Sequence, residues 1–339
     1  MSVDFNSIVG NVELKNRISR DISDRTLAHA YIIEGPLGCG KHTLAYNIAA
    51  ALSCSSESCV PCCKCKSCGK IFANKSPDIV TVGLEEDKVT IGIEAVRRVR
   101  NDISTAPNDL NVKVYIIENA DAMTVQAQNA FLLSLEEPPE YIMFFLLCEN
   151  STSLLETVRS RAPTLRLQRL ANKEVEEYLL KNDKRANQLA EEDEEIFKTV
   201  IHASDGCIGR ALELLDARKR KALLDERRVA KEIISLLQSL DRAEVLGIVT
   251  TLGNKRGEVI RYLTAVEYAA RDLILLKKAE NAHLCFYDNK EQAQEISTHF
   301  TSVALMSLYN AVSNAVQDLE ANSNVRLTVL NMMKNAGLI

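Results

Sequence analysis

The chain has 339 residues, 46% of them hydrophobic and 26% charged, with 13 Gly, 7 Pro, 10 Cys and no Trp, and a formal net charge of -5. That length fits two or three domains, and the apolar fraction with few Gly and Pro points to a helix-rich globular protein rather than a disordered one. The negative balance excludes a chain that is basic all over, and the missing Trp leaves little for stacking on nucleic acid; a local basic patch remains compatible.

"MSVDFNSIVGNVELKN" has no basic start followed by an apolar run, and "YIMFFLLC" (141–148) is far too short for a membrane span. The expectation is a cytoplasmic protein without membrane contact. Cysteines there stay mostly reduced, so a dense cysteine group suits a metal better than disulfides.

In chain order, "AYIIE" (30–34) reads as a short buried strand that feeds a glycine loop, and "KHTLAYNIAAALS" (41–53) follows as a helix. "DIVTVG" (78–83) is a second strand and "IGIEAVRRVRNDIS" (91–104) an amphipathic helix. "NVKVYIIENAD" (111–121) holds an apolar strand that ends in acid. "VQAQNAFLLSLEE" (125–137) is a helix stopped by Pro138 and Pro139, and "YIMFFLLC" is another buried strand. Strands alternating with helices predict a parallel sheet covered on both faces. After about Leu167 the pattern turns almost wholly helical, through "NKEVEEYLLKND", "EEDEEIFKTVIHAS" and "IGRALELLDARKRKALLDERRVAKEIISLLQSL". Gly206 and Gly209 punctuate a short helical domain, and "NKRG" (254–257) and "FYDNKEQ" (286–292) read as turns. No internal repeat or low-complexity tract stands out.

Gly35, Gly38, Gly40 and Lys41 lie in "GPLGCGK", a GxxxxGK phosphate loop between a strand and a helix. Glycines let backbone N–H groups turn inward around phosphate oxygens, the helix N-terminus adds partial positive charge, and the lysine reaches the outer phosphates. The position after the lysine normally supplies a hydroxyl to Mg²⁺. Here it is His42, a poor ligand for a hard cation, and Thr43 projects about 100° further round the helix. ATP or ADP binding is compatible with this loop; Mg²⁺-assisted hydrolysis is not expected. The later strand end, "VYIIENADAMT", offers Glu118 to organise a metal, but Asn119 follows where a second acid would act on water. The bland reading of Glu118 and Asp121 is that they cap the next helix.

"CSSESCVPCCKCKSC" packs six cysteines into residues 54–68, with Cys62, Cys65 and Cys68 at CxxCxxC spacing. Such spacing lets a turn gather thiolates around tetrahedral zinc, with Cys54 or Cys59 as fourth ligand. No acid or His inside the cluster offers a general base, so the zinc is read as structural.

A phosphate-loop helix running into a CxxCxxC module, then "QNAFLLSLEEPPE" and "SRA", resembles the bacterial clamp-loader ATPase family, the gamma/tau and delta-prime subunits of DNA polymerase III within the AAA+ superfamily. The resemblance is motif-specific over residues 5–170 and topological beyond about 220. It implies an α/β AAA+ domain with a parallel sheet over 1–167 that carries the zinc module 54–68. A helical lid over 168–218 and an all-α oligomerisation (collar) domain over 219–339 would follow. It matches Cys54, Cys62, Cys65 and Cys68 to the family's zinc ligands and leaves Cys59 and Cys63 extra. It also implies that Arg161, in Ser160-Arg161-Ala162, is an arginine finger reaching the ATP site of a neighbouring subunit.

Departures from the pattern choose within the family. Cys148 and Glu149 stand where a Thr-Thr phosphate sensor is usual, and Gly209 stands where a second sensor arginine falls, with Arg210 one step over. With His42 and Asn119 these weaken four catalytic elements while the trans-acting arginine is kept, which resembles delta-prime more than gamma/tau. The implied partners are gamma/tau and delta subunits, and, through the complex, the sliding clamp and primer-template DNA. An active gamma-type ATPase is the alternative, and a standalone zinc-containing DNA-binding module is a third reading.

Overall fold

The computed structural model describes residues 2–5, 7–56, 58–85, 88–239, 247, 255–279 and 282–337. The chain divides into two compact units, Met1–Tyr178 with Gly206–Arg210, and Leu179–Asp205 with Ala211–Ile339.

The first unit is built on strands β1 (Ser2–Val3), β2 (Ala30–Glu34), β3 (Cys59–Val60), β4 (Ile79–Val82), β5 (Lys113–Ile117), β6 (Ile142–Cys148) and β7 (Thr164–Arg166). Five of them form one sheet in the order β4-β5-β6-β2-β7, every pair parallel. Parallel neighbours need crossovers, and the helices that supply them cover both faces. Successive strand residues therefore alternate between two apolar layers. Tyr31, Ile33, Val114, Ile116, Phe145 and Leu147 pack with Leu44, Ile48 and Ala49 of α2 (Lys41–Ser53) on one face. On the other, Ile32, Tyr115, Ile117, Phe144 and Leu146 pack with Val96 and Val99 of α4 (Ile93–Asp102) and Phe131 and Leu135 of α5 (Val125–Glu136). Ala49, Ala50 and Ala51 of α2 are all buried.

Buried polar groups fix the loops at the sheet's rim. The fully buried Asp78 carboxylate accepts the N–H groups of Asn108, Asp109 and Leu110 at 2.7, 2.6 and 2.8 Å. Thr124 caps α5 by accepting from the Ala127 N–H. Gln128, also buried, donates to the Met123 carbonyl and accepts from the Leu155 N–H at 2.7 Å, tying α5 to the segment that enters α6 (Glu156–Arg159). The predicted strands and helices of this unit appear with ends moved by at most four residues.

The second unit is helical. Helices Ala217–Ser239, Arg256–Lys278, Ser302–Glu320 and Val325–Asn335 enclose one apolar core that includes Ile234, Leu263, Val266, Leu273, Leu308 and Met333. Asp272 lies fully buried among them and accepts the N–H groups of Cys285, Phe286 and Tyr287 at 3.0, 2.7 and 3.2 Å. Three details differ from the sequence reading. Ile208–Leu214 and Ala217–Ser239 are separate helices, because the Asp216 carboxylate accepts from the Arg218 and Lys219 N–H groups and starts the second one afresh. Gly209 sits inside Ile208–Leu214 rather than between helices. Of "NKRG", Asn254 lies outside the described residues, while Arg256 and Gly257 open a helix instead of a turn. The Arg256 guanidinium holds that first turn by donating to the Asn322 side chain at 2.6 Å and to two nearby carbonyls. Among the described residues no helix is long and apolar enough to cross a membrane.

Candidate functional site

The phosphate loop leaves β2 at Glu34 and enters α2 at Lys41. Gly38 and Gly40 have φ of 80° and 100°, a left-handed conformation that side chains strain against. Lys41 curls back, its ammonium donating to the carbonyls of Gly35 and Pro36. At Gly38 a second constraint applies. The Gly209 N–H donates to the Gly38 carbonyl at 2.9 Å, and a Cβ on Gly38 would lie 2.7 Å from the Arg210 nitrogen. The residue predicted to replace the second sensor arginine is thus packed backbone to backbone on the loop.

His42 does not point idly into solvent. Its Nε2 lies 2.6 Å from Glu118 Oε1, at the end of β5. Thr43, one step on, is half-buried, and its carbonyl accepts from the Asn47 amide. Asn119 takes a left-handed φ of 50° and leads the turn Ala120–Ala122. Asn tolerates that conformation with little strain, which gives the residue a backbone reason to be there. Asp121 accepts the Glu149 N–H at 3.0 Å. The expectation that Glu118 and Asp121 cap the following helix is therefore corrected: one holds His42, the other holds the end of β6, and Thr124 is the cap. Burial pushes the Cys148 thiol up to about 12, with the charges of Asp121 and Glu34 adding to the shift, so it stays protonated beside the exposed Glu149.

Arg161 follows α6. Its guanidinium donates to Glu136 Oε1 at 3.0 Å and to the Thr157 carbonyl at 3.1 Å, and it is 37% exposed. It lines an open depression with His29, Leu133, Leu135, Glu136 and Glu137. Sequence reasoning missed Glu136 as its partner, although the acid stands in the same "LEEPP" stretch that stops α5.

The sulfurs of Cys54, Cys62, Cys65 and Cys68 lie within 4.8 Å of one another. Cys54 closes α2, and Cys65 caps α3 (Lys66–Phe72) by accepting from the Cys68 N–H. Backbone N–H groups of Ser56 and Cys62 point at the Cys54 sulfur, and that of Cys65 at the Cys62 sulfur. Such donors favour thiolates, the form that binds metal, and they lower the Cys62 thiol, while burial outweighs them at Cys54 and Cys68 and pushes those thiols up. At Cys65 burial opposes ionisation, but the N–H groups of Cys68 and Ser55 outweigh it and bring the thiol down to about 6. Four convergent sulfurs with aimed N–H donors fit a tetrahedral metal. Cys59 is not in the group; it pairs with Ser2 in a two-stranded ribbon.

Residues 10–171 match the family model described as "DNA polymerase III, delta subunit". The chain is 25% identical to DNA polymerase III subunit tau of Bacillus subtilis (strain 168) over 95% of its own length and 59% of that protein's. It is 34% identical to DNA polymerase III subunit delta' of the same organism over 50% of each chain. Among solved structures, a DNA polymerase III, gamma subunit-related protein from Thermotoga maritima is 17% identical, with a TM-score of 0.46, over 95% of this chain and 98% of that one. The chain spans between half and three fifths of the length of the two Bacillus relatives. The segment that carries the phosphate loop, the cysteine cluster and Arg161 is thus the part of the chain that is similar to the DNA polymerase III clamp-loader subunits.

Proposed function

We propose that this chain is a delta-prime-like subunit of the clamp loader, a stator that hydrolyses little ATP itself. It supplies Arg161 to the nucleotide of a neighbouring ATPase subunit. The carrying observation is the 2.6 Å contact between His42 and Glu118, where metal-assisted hydrolysis needs a hydroxyl and a free carboxylate. Asn119, shaped as a turn residue, removes the second acid. Arg161 is half-exposed beside an open depression, which suits a cation offered to another molecule.

In this reading residues 1–167 form the nucleotide-binding-like domain, 168–218 the lid and 219–339 the collar that joins gamma/tau and delta subunits in the cytoplasm. Cys54, Cys62, Cys65 and Cys68 hold a structural zinc that closes the corner between α2 and α3. With all four positions filled by protein sulfur, the ion would have no open place for a reactant. Complex members then act together to load the sliding clamp onto primer-template DNA.

ATP turnover by the purified full chain tests the reading. The expected result is little or no turnover. Substantial turnover that Lys41→Ala abolishes would overturn it in favour of a gamma-type ATPase, the reading that overall similarity to the tau relative favours.

A further inference from the structure

The metal that accompanies nucleotide in phosphate loops does not fit this one. Mg²⁺ takes near-octahedral oxygen ligands, usually one or two carboxylates with substrate phosphates and waters. The residue after Lys41 offers imidazole nitrogen instead, and that nitrogen already lies against Glu118 Oε1 at 2.6 Å. The Glu118 side chain, 37% exposed, reaches His42 from the end of β5 and passes close to the Gly83 backbone. A Cβ on Gly83 would come within 3.0 Å of Glu118 Oε2, and the Glu118 N–H is fixed on the Val82 carbonyl at 2.7 Å. His42 stands on the first turn of α2, its side chain 45% exposed and its ring 6.4 Å from that of Tyr46.

From this disagreement we infer that a nucleoside polyphosphate seated on the loop 35–41 is bound without Mg²⁺, His42 standing opposite Glu118 where the cation would be. The inference rests on the loop being the nucleotide site. Its physical basis is charge balance. A bare Glu118 near the outer phosphates would repel them unless a cation intervened. An imidazole donating to Glu118 answers that carboxylate from the protein side. The remaining contacts with the ligand, the Lys41 ammonium and the loop N–H groups, need no metal. Lys41 must first leave the carbonyls of Gly35 and Pro36, so binding is expected to be weak.

Titration of the full chain with ADP and with ATP, each in excess Mg²⁺ and in EDTA, decides it. The expected result is binding whose affinity differs between the two conditions by less than about tenfold. Affinity more than about tenfold tighter in Mg²⁺ would overturn the inference, as would no binding under either condition. The stator reading does not require nucleotide in this loop and survives both outcomes; only turnover by the isolated chain sinks it. Mn²⁺ paramagnetic resonance gives a readout independent of any variant: added nucleotide and protein together should immobilise no more Mn²⁺ than nucleotide alone. His42→Thr restores a hydroxyl and frees Glu118. It is expected to gain at least about tenfold Mg²⁺ dependence, and a folded His42→Thr that stays indifferent to Mg²⁺ would count against the assignment.

Discussion

The carbonyl of Gly38 and the N–H of Gly209 are joined at 2.9 Å, and a Cβ on Gly209 would come within 2.9 Å of both the Cα and the carbonyl oxygen of Gly38. The phosphate loop and a helix far along the chain therefore touch through bare backbone. No side chain fits at either position without a shift of main chain. Gly209→Ala should destabilise the chain by about 1–3 kcal/mol, as overpacking against an unyielding surface does. Urea unfolding of the variant checks this, and an unchanged midpoint would show that the contact gives way freely.

Arg161→Ala should leave assembly intact and depress ATP turnover of the reconstituted complex, by at least about 10³ at the neighbouring site it serves, the lower end for a trans-acting arginine. Turnover equal to the parent's would remove the finger. Glu136→Gln keeps the size of the partner at 3.0 Å but not its charge, and should alter turnover far less than loss of the arginine itself. The pair is too exposed to matter for stability.

Protein purified without chelator should carry about one zinc per chain. Stripping the metal should lower the melting temperature by more than about 5 °C, since binding to preformed sulfurs is coupled to folding. Cys65→Ser should lose the metal, whereas Cys59→Ser should retain it, because Cys59 lies in the ribbon with Ser2 rather than in the four-sulfur group.

Burial raises the Asp272 carboxyl above its ordinary range, while the N–H groups of Phe286, Tyr287 and Cys285 and the charge of Arg271 pull it down again. A folded pKa above the unfolded one means the folded state binds the proton more tightly. The group's contribution is then fully present below the unfolded value and shrinks as pH rises through the folded value. Chemical unfolding of the parent and of Asp272→Asn at several pH values should show the parent's advantage growing as pH falls. An advantage that grows toward neutral pH would reverse the sign. Asp272→Ala should be worse than Asn at every pH, by about 1–3 kcal/mol, because it leaves three inward N–H groups without an acceptor.

The sheet was legible because β2, β5 and β6 are continuous apolar runs and their helices carry apolar residues at helical spacing. The cysteine cluster was legible through its spacing, which left Cys54 and Cys59 open as fourth ligand; the resemblance chose Cys54, and the fold gathers the Cys54 sulfur with the other three while Cys59 pairs with Ser2. Side-chain partners were less accessible. Nothing in the sequence pairs His42 with Glu118, 76 positions apart, or aims Asp78 at the N–H groups of 108–110. Asn119 read as a lost acid, while its left-handed backbone gives it a second meaning that periodicity does not carry. The break at Asp216 escaped because its neighbours are good helix formers on both sides and only a capping carboxylate divides them.

Ser2 and Val3 pair in parallel with Cys59 and Val60, the Asp4 N–H donates to the Val60 carbonyl, and Phe5 is buried just after them. The opening residues are thus stitched to the thiol-bearing knuckle far along the polypeptide. Substitutions at Val3 or Phe5 that loosen this ribbon are expected to loosen the corner that gathers the four sulfurs as well, which metal content of the purified variant would read.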